Sequence, residues 1–331
     1  MKKIVALLSM FLFVFICSAQ QKSTIKNLVF EGAGIRGIAY CGVIYELEAA
    51  NMFQGIEKVG GTSSGAIVAL GISLGYTGNE IQTIISGTNF KKFNDGNYFL
   101  LGGINRTRNY FGWYRGLKFE KWLEKMIATK TGDADITFEE LHQKGFKDLY
   151  ITGTCLNKQQ LIVFSHENYP KMKVKDAVRI SMSIPLYFEA VFINKEGKVV
   201  RHPKNKEGLD IMVDGGFTGN FPIHMFDSSS VANSSTIGFR IDSENQIKSD
   251  HEEKNIASLP IGNFRQYLTA FYNIIIENLN RQQLTKEDWQ RTVSISDGNV
   301  KPRIRKLSTA EVNVLIDNGR QAVKTYLIQN N

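Results

Sequence analysis

Ile56-Glu57-Lys58-Val59-Gly60-Gly61-Thr62-Ser63-Ser64-Gly65-Ala66-Ile67-Val68-Ala69-Leu70 is the stretch that decides how this chain reads. The apolar run Ile56 to Val59 predicts a strand, and the apolar run Ala66 to Leu74 predicts a helix. Gly61 and Gly65 bound a sharp turn between them, the setting in which a nucleophilic serine stands exposed. Upstream, Glu31-Gly32-Ala33-Gly34-Ile35-Arg36-Gly37 links the apolar strand Leu28-Val29-Phe30 to another helix. A glycine-rich loop at a helix start aims backbone N–H groups at negative charge. One loop offers a nucleophile and the other an oxyanion hole, a combination suited to acyl transfer.

Gly-x-Ser-x-Gly occurs twice, at Gly61 to Gly65 and at Gly71 to Gly75. The second copy falls inside the helix that the first begins, about ten residues and roughly 15 Å along its axis. Ser73 is therefore expected as a helix-interior hydroxyl bonded to a carbonyl one turn back. Ser63 follows a strand directly and is the nucleophile candidate, with Ser64 beside it at the helix start.

A serine hydroxyl needs a base. The five histidines, at 142, 166, 202, 224 and 251, lie in no motif. Asp214-Gly215-Gly216 follows the apolar run Ile211-Met212-Val213, so Asp214 is expected at a strand terminus beside open space. Ligand sites of parallel sheets gather at such carboxyl ends. No group of acids or histidines has metal-ligand spacing, and neither metal nor cofactor is expected in the chemistry.

Short apolar strands alternate with helical patterns, which argues an α/β fold, a three-layer α/β/α arrangement with a parallel-rich central sheet and helices on both faces. Candidate strands are 27–31, 56–59, 148–154, 161–165, 189–193, 211–213 and 236–241. Candidate helices are 37–50, 64–75, 78–87 with Thr77 and Glu80 as a capping box, 117–129, 174–183, 260–285, and 309–328 capped by Ser308 with Glu311. Residues 90–119 carry many aromatics at no steady period, a composition that suits an acyl pocket, a mobile lid or plain core.

At 331 residues the chain can bury a large core, and it shows no repeat or low-complexity linker. Lys2 and Lys3, an apolar run through Ile16 and the small residues of Cys17-Ser18-Ala19 read as a signal peptide over 1–19. That predicts a secreted or periplasmic protein over 20–331, or a lipoprotein anchored through Cys17. The remaining Cys41 and Cys155 sit in apolar stretches and read as core thiols. Formal net charge is +8, with clusters at Lys171, Lys173, Lys175 and Arg179 and at Lys198, Arg201, Lys204 and Lys206. An anionic lipid surface or a solvated basic face accounts for them; no nucleic-acid module accompanies the charge, and no nucleic-acid partner is expected.

Glu31 to Gly37, Gly61-Thr62-Ser63-Ser64-Gly65 and Asp214-Gly215-Gly216, in that order, resemble the three motifs of the patatin-like phospholipases. Ser181 to Phe188 and Asn220-Phe221-Pro222 are similar to segments flanking the last motif, so the resemblance spans about 28–222, with a helical tail from about 245 to 331. It implies a catalytic dyad of Ser63 and Asp214 without histidine, and an oxyanion hole from the loop Gly32, Ala33, Gly34 and Gly37 with Arg36 as its basic residue. It further implies a lipid acyl hydrolase of phospholipase A or lysophospholipase type, a phospholipid or other lipid ester substrate, and contact with a membrane surface. Most members carry glycine where Ala33 stands, a substitution that is harmless if its φ is negative.

Three rival readings use the same residues. Gly32 to Gly37 fits Gly-x-Gly-x-x-Gly of dinucleotide sites, which ask for an acid after the second strand; the chain has Lys58-Val59-Gly60-Gly61 there. An α/β-hydrolase with Ser-Asp-His would recruit His224 or His251, yet only two strands precede Ser63. A non-catalytic lipid-binding protein would keep the residues without turnover.

Overall fold

The computed structural model describes residues 25–96, 99–229, 231–252, 256–274, 281–301 and 304–330; the signal segment with Cys17 lies outside them. The main sheet has the order β10-β9-β1-β2-β4-β8-β7, with β5 paired to β4. These strands are β1 (Asn27–Phe30), β2 (Lys58–Gly61), β4 (Asp148–Cys155), β5 (Gln160–Phe164), β7 (Val191–Ile193), β8 (Asp210–Asp214), β9 (Thr236–Asp242) and β10 (Thr292–Ser296). From β10 to β4 every pairing is parallel, while β5, β8 and β7 are added antiparallel. A separate parallel pair joins β3 (Gly112–Tyr114) to β6 (Leu186–Phe188).

Helices cover this sheet. Tyr40–Ala49 packs on the C-terminal helix Thr309–Gln329 and on Gly78–Gly87, and Val174–Ser181 packs on β4 and on Leu117–Thr131. The helix Ser64–Ser73 is buried at every residue, as its all-round apolar sequence requires. The capping boxes at Thr77 with Glu80 and at Ser308 with Glu311 form as expected. Cys41 and Cys155 are free and buried.

Several expectations are corrected. The tail is not wholly helical, because Thr292–Ser296 joins the sheet beside β9. The helix expected at 260–285 is found over Phe264–Asn273, and residues 275–280 lie outside the described residues. The strand expected at 189–193 is shortened to Val191–Ile193, and a further short strand that was not expected, Leu186–Phe188, precedes it in the other sheet. Residues 90–119 contain a helix, Phe99–Tyr110, which their irregular pattern concealed. The first basic cluster is not a free cationic face: Lys173 and Lys175 pair with Asp135, Lys175 also with Glu124, and Arg179 is buried.

β8 runs antiparallel to β4, so Asp214 does not end a parallel strand. Its level along the sheet is nevertheless the expected one, because β4 is long. Gly61 is in register with Ile151, and Asp214 with Gly153, two residues further along the same strand. The returning strand thus delivers Asp214 to the level at which the chain leaves β2 toward Ser63. No described helix is long and apolar enough to cross a membrane.

Candidate active site

Ser63 stands between β2 and the buried helix with φ 52° and ψ −119°, a backbone conformation that a side chain bearing Cβ adopts only when its surroundings hold it there. The surroundings do so by close approach. A Cβ on Gly65 would lie 2.3 Å from the Phe30 carbonyl oxygen, and one on Gly61 would lie 2.5 Å from Gly65. Thr62 Oγ1 locks the turn from beneath, donating to the Gly219 carbonyl at 2.9 Å and lying 2.7 Å from Thr152 Oγ1. The Ser63 amide donates to Ser181 Oγ at 2.8 Å.

Ser63 Oγ donates to Asp214 Oδ2 at 2.9 Å, and the Gly216 amide donates to Asp214 Oδ1 at 2.9 Å. Burial pushes the Asp214 carboxyl up to about 7, against the opposing pull of these two hydrogen bonds. A carboxylate beside a cation would be held low; among the described residues no cation acts on Asp214. Gly215 lets the strand end tuck against Thr152, where a Cβ would meet Oγ1 at 2.3 Å.

The glycine loop lies against this pair. A Cβ on Gly32 would stand 3.2 Å from Ser63 Cβ and 2.4 Å from Asn220 Oδ1. Asn220 clamps Gly32 from both sides, its Nδ2 donating to the Gly32 carbonyl at 2.9 Å and its carbonyl accepting the Gly32 amide at 3.0 Å. Ala33 has φ −131°, so its side chain brings no strain. Its amide, expected to face an oxyanion, donates to Ser64 Oγ at 2.9 Å. With the Gly32 and Ala33 amides engaged, Gly34 is the loop residue whose N–H heads the following 3-10 turn, at φ 56° where glycine is favoured.

Arg36 does not reach toward Ser63 Oγ. Its Nε donates to the Ala33 carbonyl at 3.3 Å and its Nη1 pairs with Asp297 at 3.3 Å. In a trans peptide the C=O and the following N–H point in opposite directions. Holding the Ala33 carbonyl therefore fixes where the Gly34 N–H points, a positioning role for the basic residue. Gly37 admits Ser64, whose Oγ would lie 2.8 Å from a Cβ there. Glu31 faces away, accepting from the Ile241 amide at 3.1 Å and pairing with Arg240 at 3.3 Å.

An apolar cavity of about 80 Å³ opens on Ser63, walled by Ile67, Ile85, Phe90, Phe93, Phe119 and Phe188. Part of the 90–119 segment is therefore cavity wall, and Phe93 and Phe119 are also core, packed edge-to-face on each other. Ser73 is remote from this chemistry, donating to the Lys147 carbonyl at 2.6 Å rather than to its own helix.

Four of the five histidines have other partners, and the side chain of His251 lies outside the described residues. His142 bonds Asp148 and stacks on His166, His202 bonds Glu189, and His224 bonds Asp227. Folding brings His142, Asp148 and His166 together, and His224, Asp227 and Asp288, two groups of possible metal ligands that linear spacing did not show; neither includes Ser63 or Asp214. Sequence reasoning also missed Ser181, Ser64 and Asn220 as the groups that hold Ser63 and the glycine loop. The signal for Ser181 and Asn220 was the likeness of 181–188 and 220–222 to flanking family segments, and that for Ser64 its place beside Ser63 in the Gly61–Gly65 motif.

The chain belongs to the patatin-like phospholipase family, whose pattern matches residues 28–227. Protein R571 of Acanthamoeba polyphaga mimivirus is 28% identical over 311 residues, covering 93% of this chain and 95% of its own. YqhO of Bacillus subtilis is 34% identical over 60% of this chain and 65% of its own, and a protein of Invertebrate iridescent virus 6 named "Probable lipid hydrolase 463L" is 27% identical over 60% and 62%. Among solved structures, VipD from Legionella pneumophila superposes with a TM-score of 0.58 at 15% identity, covering 93% of this chain and 67% of that one. ExoU in its complex with SpcU from Pseudomonas aeruginosa does so at 0.52 and 17%, covering 93% and 52%. These likenesses establish the α/β fold.

Proposed function

We propose that this protein is a lipid acyl hydrolase working through a Ser63–Asp214 dyad and a covalent acyl-enzyme. The observation that carries the reading is the 2.9 Å hydrogen bond from Ser63 Oγ to a buried Asp214 whose carboxyl is raised to about 7, at the mouth of an apolar cavity. A base that titrates near working pH combines the deprotonated form with useful proton affinity. Ser63 Oγ attacks the ester carbonyl as its proton passes to Asp214 Oδ2. The amide of Gly34, with that of Ser64 at the helix start, receives the developing oxyanion. Collapse expels the alcohol, which takes the proton back from Asp214. Water then attacks the acyl-serine with Asp214 again as base, releasing the fatty acid and restoring the serine.

Phospholipids or lysophospholipids are the substrate class that the family and the apolar cavity favour. We favour the dyad over the Ser-Asp-His alternative because His224, one of its two candidates, bonds Asp227 away from Ser63; the other, His251, has its side chain outside the described residues. A lipid panel read by mass spectrometry, comparing wild type with Ser63→Ala, tests the proposal. Release of fatty acid and labelling by a fluorophosphonate should both vanish in the variant; labelling that persisted would refute the nucleophile. We further place the protein outside the cytoplasm, either free or lipid-anchored, and the N-terminus of the native protein, at Gln20 or a lipidated Cys17, decides between the two.

A further inference from the structure

Helix Phe99–Tyr110 is turned inside out. Arg106 is 5% exposed, with Nε donating to the Trp113 carbonyl at 2.8 Å and lying 3.9 Å from Glu189 Oε1. Gly103 lies flat on the Trp113 ring, which a Cβ there would approach to 2.4 Å. The opposite face presents Leu101 at 76% and Ile104 at 54% exposure. A helix on a water-facing surface does the reverse. Rotation about its axis is blocked, because it would drive side chains into Trp113 and strip Arg106 of its buried partners.

Positions 101, 104, 108 and 111 follow one stripe. At its end Phe111 and Leu186 meet where β3 pairs with β6, the Leu186 amide donating to the Phe111 carbonyl at 3.2 Å. Both have positive φ, 65° and 66°. That conformation is unfavourable for a residue with Cβ, and Leu186 remains 68% exposed, so burial does not offset it. Leu186 lies in sequence between Ile184 and Tyr187, which line the Ser63 cavity. The apolar stripe therefore borders the cavity mouth.

Its charge is one-signed. Residues 96–118 contain no Asp or Glu. Arg108 is exposed within the stripe, and Lys206 Nζ sits 5.7 Å from the Phe111 ring centre. A second copy of the chain docked on this face about a twofold axis would set these cations against themselves. An anionic lipid surface complements both features, apolar side chains entering the acyl boundary while the cations meet phosphate.

We propose that Leu101, Ile104, Phe111 and Leu186, flanked by Arg108 and Lys206, form a docking patch that seats the mouth of the Ser63 cavity on an anionic phospholipid surface. The inference rests on the lipid-hydrolase reading, and its test separates the two. Full-length protein carrying Ser63→Ala, which leaves lipid intact, is mixed with vesicles of phosphatidylcholine and phosphatidylglycerol, and binding is read by sedimentation. Adding L101E with I104E, or separately Leu186→Gly, should lower partitioning about tenfold or more. Leu186→Gly relieves the positive φ and should melt no lower than its parent, so weakened binding there cannot be blamed on unfolding. With Ser63 restored, hydrolysis of vesicle phospholipid should fall in step, while turnover of a soluble short-chain ester stays within about twofold of wild type. Unchanged partitioning of the double variant would overturn the patch. A dimer that the double variant dissolves, with vesicle binding unaltered, would overturn it in favour of self-association. Failure of the wild type to cleave the soluble ester would instead refute the hydrolase reading, and vesicle partitioning would still report on the patch.

Discussion

Asp214 and Asp242 close two strands of one sheet, both are buried, and their surroundings make them opposite kinds of acid. Among the described residues the Asp214 carboxyl bonds a serine hydroxyl and a backbone amide, and burial raises it to about 7. Asp242 accepts from Arg240 Nε at 2.7 Å and is bonded by Arg281, whose other arm reaches Asp250, and these guanidiniums hold it below the usual carboxylate range. The first environment suits the proton acceptor we propose. The second ties β9 to the tail and, through Arg240 and Glu31, to the start of the glycine loop. Burial alone does not make an aspartate basic; burial without a cation does.

The contrast can be broken by mutation. Asp214→Asn keeps the shape and removes the acceptor, so turnover of a soluble ester should fall by roughly 10² to 10⁴ or more with the fold retained, measured by steady-state kinetics and circular dichroism. Asp242→Asn should act on stability instead. It leaves Arg240 and Arg281 buried without that counter-charge and should cost about 3–5 kcal/mol in denaturant unfolding, while the pH midpoint of the surviving activity stays in place.

Acidity gives a finer test. The rate constant kcat/KM should rise with pH through a midpoint near 7, as Asp214 loses its proton. For stability, the folded state holds that proton between the ordinary carboxyl value of 3.8 and about 7, where the unfolded chain has released it. Stability from this group therefore falls as pH rises across that window. The melting temperature of Asp214→Asn relative to wild type should climb over the same window and then level off. Asp242 contributes with the opposite sign, its stabilisation present above the unfolded carboxyl value and lost as pH falls through its depressed one.

The smallest effect belongs to Ser64→Ala. It leaves the Ala33 amide without its Oγ acceptor, so it should cost about 1–3 kcal/mol in stability and lower turnover only several-fold. A loss of turnover as deep as that of Asp214→Asn would move Ser64 into the chemistry and end the contrast between reacting and supporting groups.

What could be read in advance was local or ordered along the chain. Thr77 with Glu80 and Ser308 with Glu311 announced helix starts because a capping box is complete within four residues. Ser63, the glycine loop and Asp214 were legible because strand, turn and glycine spacing mark each. The antiparallel course of β8 was not, since Ile211-Met212-Val213 reads alike in either direction. Thr292–Ser296 escaped notice because an edge strand of five residues carries little pattern. Helix Phe99–Tyr110 hid because Leu101 and Ile104 face outward, against the usual pattern, and the Ser64–Ala33 bond because it joins two motifs across space.

The register of β8 on β4 has a consequence for how members of this lineage can diverge. Side chains alternate faces along a strand, so a slip of one residue between Gly153 and Asp214 would turn the carboxylate, and with it the buried Met212, to the wrong side. The connection from 156 to 209 can lengthen or shorten freely only where it does not touch that phase. Insertions should therefore collect in exposed turns such as Asn194 to Lys198 and Lys204 to Gly208, while the count of residues from Ile211 to Asp214 stays fixed.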